Sequence, residues 1–117
     1  MRTQQDCIFC KIVAGEIPSK KIYEDELAFA FRDINPQAPT HALDIPRAHI
    51  ASLSEAAEAD EALLGHLLRV AAQVAHSEGH AEGGFRTVIN NGADAGQTVF
   101  HIHVHVLAGR RLSWPPG

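Results

Sequence analysis

Apolar residues recur along the chain with two different periods, and those periods divide it into elements. Between Asp60 and Gly79, Leu63, Leu64, Leu67, Leu68, Val70, Ala71, Val74 and Ala75 follow the three-and-four spacing of one helical face. Asp60 is the expected N-cap and Gly79 the expected C-cap of what reads as the chain's one long helix. From Phe100 to Leu107 the period changes to two: apolar residues alternate with His101, His103 and His105. That is the pattern of a half-buried strand, with an apolar face toward the core and three imidazoles sharing the other face.

The remaining segments are shorter. Ile8, Phe9, Ile12 and Val13 have the spacing of one or two helical turns, ended by Gly15, and Ile17-Pro18-Ser19 then breaks the chain. Lys20 to Glu24 and Leu27 to Arg32 predict two strands of a hairpin around Asp25-Glu26. Asn35 to Pro39 is punctuated as a loop, and His41 to Ile45 resumes as a strand stopped by Pro46. Phe85 to Asn90 predicts a strand joined by a polar loop to the histidine strand, hence an antiparallel pair. The sum is an α+β fold: an antiparallel sheet with one long helix and one short N-terminal helix.

Composition narrows the class. At 117 residues the chain is read as one domain, residues 1–117, large enough to bury a core without obligatory staples. The net charge of −4 and the lack of any Lys/Arg run longer than two argue against a nucleic-acid partner. No apolar run approaches the length of a membrane span, and Met1 to Asp6 is not followed by a signal-peptide core, so no membrane partner and a cytoplasmic location are expected. His66 and His76, on the long helix, read as solvated or flanking residues.

Three imidazoles on one strand face are costly to desolvate without partners. They can bind a metal, attack an electrophile, or sit solvated on an edge strand. Cys7 and Cys10 leave little room for the strand that precedes a thioredoxin-type C-x-x-C, so they are half of a metal site or nothing. The loop from Asn90 to Thr98 offers amides, a hydroxyl and two glycines, which suits either an oxyanion or a plain polar connection. Beside a histidine nucleophile, such donors compose a phosphoryl-transfer site that requires no metal.

Taken together, several segments resemble the histidine triad (HIT) family. They are His101-Ile102-His103-Val104-His105-Val106-Leu107, Cys7-Ile8-Phe9, Glu16-Ile17-Pro18, Phe31-Arg32-Asp33-Ile34, Pro36 to His41, Gly96-Gln97-Thr98 and the terminal Trp114-Pro115-Pro116-Gly117. The ending is similar to the Hint branch, the purine nucleoside phosphoramidases. The resemblance implies a hydrolase that cleaves the P–N bond of AMP or GMP conjugates with amines through a nucleotidyl-histidine. His103 would be the nucleophile, with His105 and His41 positioned around the phosphate and leaving group. Asp33 would hold the ribose, Ile8, Phe9 and Ile34 would wall the base, and Asn90, Gly96, Gln97 and Thr98 would meet the phosphate. Thr98 stands where Hint proteins often have Ser.

Trp114 would lie at the mouth of the nucleotide site, across the interface of a homodimer formed by pairing sheets. Some bacterial relatives carry zinc at positions matching Cys7, Cys10, His49 and His101. A Cys2His2 set is closed, so the zinc would be structural and the reaction would use no catalytic metal. Alternatives are a dinucleoside polyphosphate or nucleotidyl-ester hydrolase of the same family, a nucleotide-binding regulatory module with little turnover, and a metal carrier.

Overall fold

The computed structural model describes residues 4–117; Met1 to Thr3 of the N-terminal segment lie outside the described residues. In chain order the elements are α1 (Ile8–Val13), β1 (Lys21–Glu24), β2 (Ala28–Arg32), β3 (Thr40–Pro46), α2 (Glu61–Ser77), β4 (Phe85–Val88) and β5 (Val104–Ala108). Short 3-10 turns at Leu53–Glu55, Glu58–Asp60 and Ala93–Ala95 punctuate the connections. The strands form one five-stranded sheet in the order β1-β2-β3-β5-β4, with every neighbouring pair antiparallel. This is the α+β architecture the two periodicities predict.

The sheet is covered differently on its two faces. Ala28, Ala30, Ala42, Val104 and Val106 pack with Leu67, Val70, Ala71, Val74 and Ala75 of α2 in one core. The small alanines let the helix lie close. Phe29, Phe31, Leu43 and Ile45 point the other way and pack with Phe9 and Ile12 of α1 in a second core. Because side chains alternate along a strand, residues adjacent to those that meet α2 face α1, which puts His41 and His105 on the α1 side.

Several boundaries differ from expectation. The histidine segment is a ladder strand only from Val104, and Phe100 to His103 approach it outside regular structure. The register that pairs Asp44 with Val104 would next oppose Pro46 to Ile102, but Pro46 has no N–H to donate. Its carbonyl instead accepts from His101 Nε2 at 2.8 Å. Leu68 is 50% exposed, lying about 100° round the helix from Leu67 and so off the buried stripe.

Asp60 does not cap α2 with its side chain; its carboxylate accepts from the Ala57 N–H at 2.9 Å in the preceding turn. Gly79 does follow the helix end, with φ of 91°, in a conformation that disfavours other residues. His66 is not merely solvated: its Nε2 lies 2.7 Å from Asp25 Oδ2 and ties α2 to the β1–β2 turn. No helix among the described residues is long and apolar enough to cross a membrane.

Candidate active site and metal cluster

Four histidines form a connected row on the α1 side, and backbone groups decide their protonation. Gln37 N–H donates to His41 Nδ1 at 3.0 Å, so the neutral His41 ring carries its proton on Nε2. That Nε2–H meets His105 Nδ1 at 2.9 Å, with Asp33 Oδ2 a second acceptor at 3.4 Å. His105, accepting at Nδ1, therefore presents Nε2–H. His103 has the opposite tautomer: its Nδ1 donates to the His101 carbonyl at 2.8 Å, which leaves the Nε2 lone pair available. The row thus holds a hydrogen-bond donor at His105 next to a nucleophilic nitrogen at His103, with ring centroids 5.0 Å apart.

Burial keeps the His41 and His105 rings neutral. It pushes the His105 pKa down to about 4, reinforced by the neighbouring His103 and His41 and opposed by Asp33. His41 is lowered by burial too, again against the pull of Asp33. His103 is 8% exposed and braced by Phe9, whose ring stands edge-on at 5.2 Å and 88°.

A cleft of about 720 Å³ leads to His41. Its walls include Ile8, Ile12, Phe31 and Ile34, with Asp33 at the histidine end. Ile8 is 46% exposed and Ile34 fully so, which makes both available to a flat ring. Phe9 does not line this cleft; it lies beneath, packed between Phe31, His101 and His103. Asp33 Oδ1 accepts from the Asn35 N–H at 2.8 Å, which holds the carboxylate in an Asx turn.

The loop residues divide. Gln97 is buried, and its amide bonds the Gly92 N–H and the Ala51 and Val99 carbonyls, so it stitches the loop and has little left for a ligand. Thr98 and Gly96 are exposed and Asn90 is partly so, which leaves them for a ligand. Trp114 is 80% exposed and lines no part of the cleft.

On the other side of Phe9, Cys7, Cys10, His49 and His101 converge, with all four ligand atoms within 4.8 Å of one another. His101 Nδ1 lies 3.3 Å from Cys7 Sγ and 3.6 Å from Cys10 Sγ, and His49 Nδ1 lies 3.4 Å from Cys10 Sγ. A tetrahedral ion with ordinary Zn–S and Zn–N bonds sets such S···N edges at about 3.5 Å. His101 Nε2–H is fixed on the Pro46 carbonyl, which aims the Nδ1 lone pair at the sulfurs, the outer-partner arrangement of metal-ligating histidines. The donor set fits a thiophilic divalent ion, and the expected ligands are the residues that assemble.

The HIT domain profile matches residues 14–112. The chain belongs to the HIT domain family. This HIT domain is 56% identical over 113 residues to an uncharacterized HIT-like protein of Synechocystis sp., covering 97% of this chain and 98% of that one. It is 54% identical over 112 residues to a 14 kDa zinc-binding protein of Zea mays, covering 94% and 87% respectively. Among solved structures it resembles a HIT family hydrolase from Legionella pneumophila, with a TM-score of 0.94 at 49% identity over 96% of this chain and all of that one.

Other parts of the site carry no side-chain signal in the sequence. The Gln37 N–H, the His101 carbonyl and the Pro46 carbonyl set three tautomers, yet backbone groups are common to every residue. The sequence reading also passes over Asp44. This carboxyl is fully buried on the α2 side of β3, and neither oxygen has a hydrogen-bond partner among the described residues. Burial, with the nearby Asp25 charge, pushes its pKa up to about 8.

Proposed function

We propose that this HIT domain hydrolyses purine nucleoside 5′-phosphoramidates through a nucleotidyl-histidine at His103. The observation that carries the reading is the opposed pair of tautomers, a free Nε2 lone pair on His103 beside an Nε2–H on His105. The purine lies in the apolar cleft between Ile8 and Ile34, Asp33 accepts from the ribose hydroxyls, and the α-phosphate rests at the His41 end. Thr98, Gly96 and Asn90 supply donors to its oxygens.

His103 Nε2 then attacks the α-phosphorus and forms a P–N bond as the substrate's P–N bond breaks. The departing amine takes up a proton. That proton comes from solvent, and the His105 Nε2–H is placed to hydrogen-bond the phosphate or leaving group while it arrives. Water attacks the nucleotidyl-histidine, the bond to His103 breaks, and one proton of that water passes to solvent, replacing the one the amine took. The net change is phosphoramidate plus water to nucleoside monophosphate plus amine.

Cys7, Cys10, His49 and His101 would hold a structural zinc ion, which supplies no chemistry to the phosphate and fixes the fold around it. The protein is read as a homodimer, supported by the exposed edge strand β4 and by Trp114. A steady-state comparison of AMP phosphoramidate, a lysyl-AMP conjugate and a diadenosine polyphosphate tests the reading. The two P–N substrates should turn over fastest; a preference for the polyphosphate, or no turnover of any, would reject it.

A further inference from the structure

The Cys/His cluster and the nucleotide site share one short helix. Within α1 and its N-cap, Cys7 and Cys10 belong to the cluster, Ile8 and Ile12 wall the cleft, and Phe9 braces His103. The cluster also includes His101, whose carbonyl holds the His103 Nδ1 proton. Anything that opens the cluster therefore loosens the base wall, the brace and the nucleophile's anchor together.

Three further observations bear on what could open it. Both cysteines are free, and Cys10 N–H meets Cys7 Sγ at 3.4 Å across the first turn. Their sulfurs lie within 4.8 Å of each other, as two ligands of one ion would, and must close to about 2.05 Å to bond. A separate cavity of about 300 Å³, lined by Gln4, Cys7, His49, Thr98 and Phe100, opens the cluster to small solutes from the phosphate-loop side. Of its lining, Ile8 and Thr98 are shared with the proposed nucleotide site, whereas Cys7 and His49 belong to the cluster alone.

We infer that Cys7 and Cys10 form a redox latch: a peroxide entering this cavity joins them as a disulfide, expels the ion and disables the nucleotide site. A cysteine sulfur attacks a peroxide oxygen, the O–O bond breaks and a sulfenic acid forms. The second sulfur then displaces its hydroxyl to make the S–S bond. The two sulfurs together give up two electrons, which with two protons reduce hydrogen peroxide to two waters. Both metal–sulfur bonds are lost, and the ion leaves as its aquo form. A dithiol reductant with added zinc reverses the change. The loss of function rests on the proposed nucleotide site, whereas the oxidation and release do not.

The test treats zinc-loaded protein with stoichiometric hydrogen peroxide and follows three readouts: zinc captured by a chromophoric chelator, disulfide mapping by mass spectrometry, and AMP binding by calorimetry. The latch predicts one zinc released per chain, a Cys7–Cys10 linkage, and a loss of AMP affinity. Reductant plus zinc should restore binding. Zinc retained under peroxide, sulfinic acid without a disulfide, or a disulfide that leaves AMP affinity unchanged would overturn it, as would purified protein that takes up no zinc. If the reduced, loaded protein does not bind AMP, the nucleotide reading fails instead, and zinc release with mapping still decides the chemistry. Cys10→His keeps four ligands without a partner for the disulfide; it should resist peroxide, and equal sensitivity to the wild type would count against the latch. Should that variant fail to fold, the wild-type readouts decide alone.

Discussion

Pro46 and Gln37 bring no reactive side chain to the site, yet a carbonyl of one and an N–H of the other fix which ring nitrogens of His101 and His41 carry protons. His105 inherits its tautomer from His41, and on this account donates to the phosphate or leaving group. His105→Ala should therefore lower kcat by about 10²–10⁴-fold, the range of a lost acid/base or positioning group, with a smaller change in AMP binding. Rapid-quench kinetics would separate the two. Asp44 is the residue least explained by catalysis. Its folded pKa of about 8 exceeds the ordinary 3.8, so the native state keeps a proton that the unfolded chain releases. That contribution to stability is fully present below about pH 3.8 and is lost as pH rises through 8. Asp44→Val should raise stability by about 1–3 kcal/mol at neutral pH, the cost of an unpaired buried polar group. Denaturant melts at pH 5 and pH 8 check the sign, because the gain should be larger at pH 8.

At the scale of elements, α1 is six residues long and too short to be stable by itself. It persists because Phe9, Cys10 and Ile12 are buried against β2 and β3 and because its cysteines reach His49 and His101. If the cluster holds the proposed zinc ion, removing it with a strong chelator should speed hydrogen exchange in α1 and the 98–103 segment while the α2 amides stay protected. Equal loosening of both helices would contradict this division. The periodicity of α2 and the hairpin of β1 and β2 were legible because both rest on patterns that local burial enforces. The strand limit at Val104 was not, because it depends on Pro46, which lies 58 positions earlier and opposes the histidine segment only after folding.

For the whole molecule, the sheet ends in two edge strands, and β4 carries Phe85 at 36% exposure. Together with Trp114 at the chain's end, this is the apolar surface that the proposed homodimer would cover. Deleting Trp114 to Gly117 should alter preference among amine leaving groups while folding survives; unchanged selectivity would detach the tail from the site. Candidate ligands far apart in the sequence, Cys7, Cys10, His49 and His101, were legible through their resemblance to zinc-bearing relatives, and the fold brings them together. Gln97 shows the opposite limit. A glutamine in a polar loop reads as a phosphate donor, whereas three hydrogen bonds inward give it a structural task that only the closed loop reveals.

The most direct test of the whole account is the identity of the covalent intermediate. Enzyme quenched during turnover of an AMP phosphoramidate should carry an adenylyl group on His103 when peptides are mapped by mass spectrometry, and His103→Ala should abolish both adduct and turnover while still binding AMP. An adduct on His101, His105 or His41, or a His103→Ala protein that keeps most of its rate, would contradict it.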